Sequence, residues 1–128
     1  MNPDPRRPSC RVLGAELWAL LRGARTLRVV HGESMEPTLV AGDVLWIDTQ
    51  VSGLPELGSL VLIQDPQEPT RDMVKRVRSH GEASFSVSSD DPTQGRDSRQ
   101  FGSLRLTHLR GRVVGVWSSE GLKIPGSS

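Results

Sequence analysis

The apolar residues of this chain come in short runs closed by turn residues, and that constrains the fold more than anything else in it. Val44-Leu45-Trp46-Ile47-Asp48 follows Gly42-Asp43, and Leu60-Val61-Leu62-Ile63-Gln64 lies between Gly58-Ser59 and Asp65-Pro66. Runs of four to six with such boundaries are buried strands, since a helix needs a longer repeat. Asp72 to Arg78 alternates instead: Met73, Lys75 and Val77 point one way, Val74, Arg76 and Arg78 the other. Ser84 to Ser88 alternates Phe85 and Val87 with serines, and Gly111 to Trp117 supplies a closing strand. The expectation is a mainly β domain.

Only the beginning reads otherwise. Residues 1–10 are rich in Pro and Arg and are expected to be a disordered leader. Leu13, Leu17, Leu20 and Leu21 follow one face of a helix, which predicts a short amphipathic helix over 11–25. Its apolar stretch, Val12 to Leu21, contains Glu16 and is half the length of a membrane span, about 20 residues. No small-x-small cleavage site follows it, so a cleaved signal peptide is not expected. A single β domain is expected over 26–117, and 118–128 is expected to be a disordered tail.

The formal net charge of +1 gives no global field for nucleic acid. The basic excess is local: six arginines precede residue 32, and a weak contact with an acidic membrane surface is its sharper reading. Cys10 is the single cysteine, so no internal disulfide forms, as suits a reducing compartment. His31, His80 and His108 lack metal-ligand spacing, and no cofactor is expected.

Chemistry concentrates in Gly32-Glu33-Ser34-Met35-Glu36-Pro37-Thr38-Leu39-Val40-Ala41-Gly42-Asp43. Gly32 permits φ > 0 or a close approach, and Pro37 keeps the chain around Ser34 out of a helix. The loop therefore presents a hydroxyl. The chain has two lysines, Lys75 and Lys123. Lys75 lies between apolar neighbours on the inward face of a strand, whereas Lys123 is in the tail. Desolvation lowers a lysine pKa toward the range where the amine is a base.

Ser34-Met35-x-Pro37-Thr38-Leu39-x-x-Gly42-Asp43 resembles the nucleophile box of the signal peptidase I family of Ser–Lys endopeptidases. Val74-Lys75-Arg76-Val77 is similar to the family's lysine box, and Ser89 to Gly102 to its third box, Gly-Asp-Asn followed by Ser-x-Asp-Ser-Arg-x-x-Gly. The resemblance implies the signal peptidase/LexA-like β fold, a Ser34–Lys75 dyad, and supporting roles for Gly32, Met35, Pro37, Arg76, Asp90, Asp97, Ser98 and Arg99. Asp97 and Arg99 are expected to pair and brace the loop beneath the dyad.

Three positions depart from the pattern. Ser89 stands where the family has glycine, and Gly95 where it often has a serine hydrogen-bonded to the lysine. Ser98 is the expected substitute hydroxyl, and Gly95→Ser is expected to raise the rate or leave it unchanged. With Gly32 two residues ahead of the nucleophile, the Ser34 backbone N–H is left to form the oxyanion hole.

Lys75 follows Ser34 by only 41 residues, which implies a minimal catalytic core. The layout is most like the small anchor-free maturation proteases of nickel-type superoxide dismutase. The expected partner is thus a precursor protein that loses a short N-terminal leader, in the cytoplasm. The alternatives are a signal peptidase peripheral to the membrane, a catalytically dead binding module, and a self-cleaving LexA-type regulator. The last lacks a helix-turn-helix pattern ahead of the serine.

Overall fold

The computed structural model describes Trp18 and residues 23–125. The expected leader and almost all of the expected helix over 11–25 lie outside these residues. At the described end of that span, Gly23 and Ala24 turn into a strand.

Eight strands form one antiparallel sheet: β1 (Arg25–Val29), β2 (Val44–Asp48), β3 (Leu60–Gln64), β4 (Asp72–His80), β5 (Ser84–Ser88), β6 (Leu104–Arg105), β7 (Leu109–Ser118) and β8 (Gly121–Lys123). The order across the sheet is β1-β2-β7-β3-β4-β5-β6, with β8 beside the end of β7. A one-turn helix, Ser98–Phe101, and a 3₁₀ turn, Leu106–His108, connect the later strands.

β3 explains the curl of the sheet. Leu60 and Leu62 pack with Met35, Leu39, Leu45, Ile47, Val113 and Val116 in one core. Val61 and Ile63 pack with Val77, Phe85, Val87 and Leu104 in a second. A strand covered on both faces reads as a continuous apolar run, which is why β3 is so plain in the sequence. β2 is covered on one face only: Leu45 and Ile47 are buried, while Val44 and Trp46 are half-exposed.

The sequence reading needs one correction at the end of the chain. Gly121–Lys123, expected to be part of a disordered tail, is β8, and pairs Leu122 with Trp117 and Lys123 with Val116. Three residues carry too little pattern to announce a strand, and the partner strand supplies the order.

Candidate active site

The loop between β1 and β2 holds Ser34, and its apolar residues fasten it. Met35 and Leu39 are buried in the first core, and the Leu39 N–H donates to the Met35 carbonyl at 2.9 Å. The Asp43 carboxylate accepts from the Val40 N–H at 3.0 Å and closes the far end. Gly32 takes φ +80° just ahead of the serine, and Pro37 follows on the exposed outer turn. Ser34 itself is half-buried.

Lys75 is 2 % exposed, in the middle of β4. Its neighbours along that face, Met73 and Val77, belong to the second core. Burial pushes the Lys75 pKa below the ordinary lysine range. The Asp97 carboxylate opposes that shift, while Arg71, Arg96 and Arg99 add to it.

Ser34 and Lys75 are both neighbours of Gly95. A Cβ built there would stand 3.0 Å from Ser34 Cβ, 3.7 Å from Ser34 Oγ and 3.3 Å from Lys75 Nζ. Gly95 also has φ +71°, in the left-handed region where a side chain is strained. Both observations argue against the expectation for Gly95→Ser, because the new side chain would sit tightly against Ser34 Cβ and the Lys75 amine.

The sequence reading also named the wrong hydroxyl. Lys75 Nζ donates to Ser89 Oγ at 2.9 Å, whereas Ser98 Oγ accepts from the Val87 N–H at 2.8 Å. Ser98 thus ties the one-turn helix to β5, away from the lysine. The strand register explains why Ser89 is the partner. Arg76 pairs with Ser88 across β4 and β5, so the next residue along falls beside Lys75.

Two charged assemblies hold the third box. Asp90 takes two bonds from Arg76, Oδ1 from Nε at 2.9 Å and Oδ2 from Nη2 at 2.8 Å, and a third from the Thr38 hydroxyl at 2.5 Å. Burial works against the Asp90 charge, but Arg76 and Thr38 outweigh it and hold its pKa below the usual carboxylate range. Thr38 belongs to the serine loop, and the Asp91 N–H donates to the Ser34 carbonyl at 2.9 Å, so the third box grips that loop twice.

Asp97 is 1 % exposed and caps the one-turn helix. Its Oδ1 accepts from Arg99 N and Nε, at 2.9 and 3.0 Å, and its Oδ2 from Ser89 N at 2.9 Å. Desolvation opposes this charge too, and those bonds prevail, so its pKa is lowered.

A groove of about 910 Å³ runs past Ser34, Lys75 and Gly95. Among the described residues, β1, on one wall, pairs with β2, and on the other the Asp72–Lys75 part of β4 pairs with β3. Leu27–Val29 of β1 and Asp72–Lys75 of β4 thus bring strand backbone to the groove, a surface on which an extended peptide can hydrogen-bond. Among the described residues no cluster of His, Cys, Asp and Glu is arranged to hold a metal.

Two comparisons join this geometry to known proteins. The family description "Signal peptidase, peptidase S26" matches residues 15–81, a span that includes both Ser34 and Lys75. The mitochondrial ATP-independent inner membrane protease subunit 1a of Arabidopsis thaliana is 31% identical over 117 residues, covering 71% of this chain and 70% of that protein. The chain belongs to the signal peptidase family, peptidase S26, and is a signal peptidase-like serine protease.

Proposed function

We propose that Ser34 is the nucleophile and Lys75 its general base, in an endopeptidase that removes a short N-terminal segment from a precursor protein. The observation that carries this is that Ser34 Oγ and the buried Lys75 Nζ border the same small space at Gly95, 3.7 and 3.3 Å from where a Cβ would stand. The substrate lies extended between the edges of β1 and β4. Neutral Lys75 takes the Ser34 proton as Oγ attacks the scissile carbonyl, and the Ser34 N–H receives the oxyanion. Lys75 then gives that proton to the leaving amine as the C–N bond breaks, leaving an ester on Ser34. Water, losing its proton to Lys75, attacks the ester, and the proton returns to Ser34 Oγ as the acid departs.

For the substrate, the resemblance of this compact layout to the small maturation proteases of nickel-type superoxide dismutase points to the leader of such a precursor, processed in the cytoplasm. A second reading, a membrane-peripheral signal peptidase, has an observation of its own. Val29, Val44 and Trp117 share one row across β1, β2 and β7, and Val29 and Trp117 are 50% and 65% exposed. Exposed Trp beside aliphatic residues suits a membrane–water interface. The relative's name also places that protein at an inner membrane.

Co-expression with the dismutase precursor, followed by mass spectrometry of its N-terminus, tests the first reading. A removed leader, dependent on Ser34, supports it; an intact leader beside active enzyme ends it. Recovery of the full chain with sedimented membranes then supports the second.

A further inference from the structure

The Ser34–Lys75 reading leaves open what aims the lysine, and the third box answers with an exchange of residues. We propose that Ser89 is the positioning residue for Lys75, holding its amine toward Ser34 from a place where the resemblance expects glycine. Gly95, where the resemblance expects the hydroxyl, gives up its side chain so that serine and lysine can meet. The inference rests on the dyad reading above.

The geometry supports each half separately. Ser89 and Lys75 are 6 % and 2 % exposed, and Nζ donates to Oγ at 2.9 Å with little water to compete. Ser89 is itself fixed: its N–H is bound by Asp97 Oδ2, and Asp97 is held by Arg99. It also directly follows β5, whose register with β4 brings it beside the lysine. On the other side, the Cβ that Gly95 lacks would contact Ser34 Cβ at 3.0 Å and Nζ at 3.3 Å. A hydroxyl on both residues would crowd the amine, and one on neither would leave it free to rotate.

A hydroxyl is well suited to this task. Neutral amine has two N–H groups and one lone pair. An N–H given to Ser89 Oγ in either protonation state fixes the rotation about Cε–Nζ and leaves the lone pair to accept from Ser34. A carboxylate in the same place would hold the amine as ammonium. Asp97, the carboxylate facing Lys75, is kept one step away, since its oxygens are engaged by Ser89 N and by Arg99. The remaining charged groups around the lysine are Arg71, Arg96 and Arg99.

The chain has two lysines, which permits a test without any substrate. In protein carrying 13C-labelled lysine, Lys75 and Lys123 give two Cε signals to follow by NMR against pH. Lys123, 46% exposed and paired with Glu120, is the internal reference. Ser89→Ala removes an acceptor from the ammonium, so the Lys75 midpoint should move to lower pH while Lys123 stays. With a quenched fluorescent peptide selected from a randomised pool on the wild-type enzyme, kcat should fall about ten- to a hundredfold and KM less than about twofold. Ser89→Thr should restore most of both. Should alanine disturb folding, Ser89→Gly removes the same hydroxyl. An unmoved Lys75 midpoint with wild-type kcat in the hydroxyl-free variant overturns the proposal. Inactive Lys75→Ala in the same series would leave the dyad standing, and active Lys75→Ala would sink the dyad itself.

Discussion

Neighbouring residues on β4 hold their positive charges in opposite ways. Arg76 makes a two-bonded pair with Asp90 and adds a 2.7 Å bond to the Gly58 carbonyl. Lys75, one residue earlier, gives its hydrogen bond to a neutral hydroxyl and is buried, and that burial outweighs the opposing Asp97 charge. The first arrangement fixes a charge in place, and the second makes a charge costly. A strand's alternation separates them, sending one to the rim where the two loops join and the other to the groove. Under the proposed dyad this division has a purpose, because a base must shed its proton while a brace must keep its own.

The most severe way to break the contrast is to make the first residue resemble the second. Lys75→Arg should lower turnover at least about a thousandfold, as should Lys75→Ala and Ser34→Ala, because arginine stays protonated at working pH and alanine has no base. Peptide turnover measures this. Thermal melting should find Lys75→Met at least as stable as wild type, since a buried amine gives way to an apolar side chain of similar length. Wild-type turnover in Lys75→Ala would refute the base assignment.

Gly95→Ser tests the space between the groups. A non-glycine residue at φ +71° costs about 1–2 kcal/mol, and its Cβ would press on Ser34 and Lys75. We expect a fall in kcat of about tenfold or more with a modest loss of melting temperature. A faster enzyme would mean the loop relaxes to accept the hydroxyl.

The brace should respond in stability more than in chemistry. Asp90→Asn keeps the shape but weakens three charge-assisted bonds, for a cost of about 2 kcal/mol in denaturant unfolding. Turnover should fall only as far as the Ser34 loop loosens, by less than about tenfold. A loss as deep as that of Lys75→Ala would place Asp90 in the chemistry itself.

The sequence exposed the parts of this plan that depend on a single strand or loop. β3 was readable because both faces are covered, and Lys75 because alternation set it between Met73 and Val77. Ser34 and the Asp97–Arg99 pair lie within short segments whose residue types carry their own geometry. What escaped depends on pairing between strands. The β4–β5 register shifts between Val77 and Ser79, so no local pattern announces that Ser89, rather than Ser98, arrives at the lysine. β8 exists only because the end of β7 offers it a partner. Gly95 looked like a lost hydroxyl until its φ and its neighbours gave it a reason to be glycine.

The gentlest probe is pH, which should address the two sites separately. Lys75 titrates lower in the folded protein than unfolded, so between those two values the unfolded chain binds more protons and stability from this residue rises with pH. Activity should rise with pH through the same folded ionisation, because only the neutral amine accepts the serine proton. The carboxylates behave differently. Asp90 and Asp97 are lowered by folding, so their contribution is fully present above the unfolded value, about pH 4, and is lost as pH falls through the folded values. Lowering the pH from alkaline should therefore switch the enzyme off while it remains folded, and only further acidification should unfold it. Peptide turnover and circular dichroism, recorded on the same samples, would show two separate transitions. In Asp90→Asn the acid unfolding should become shallower while the activity midpoint stays in place. A single transition shared by activity and structure would mean that loss of activity reports unfolding, and the difference between the two β4 residues would lose its functional meaning.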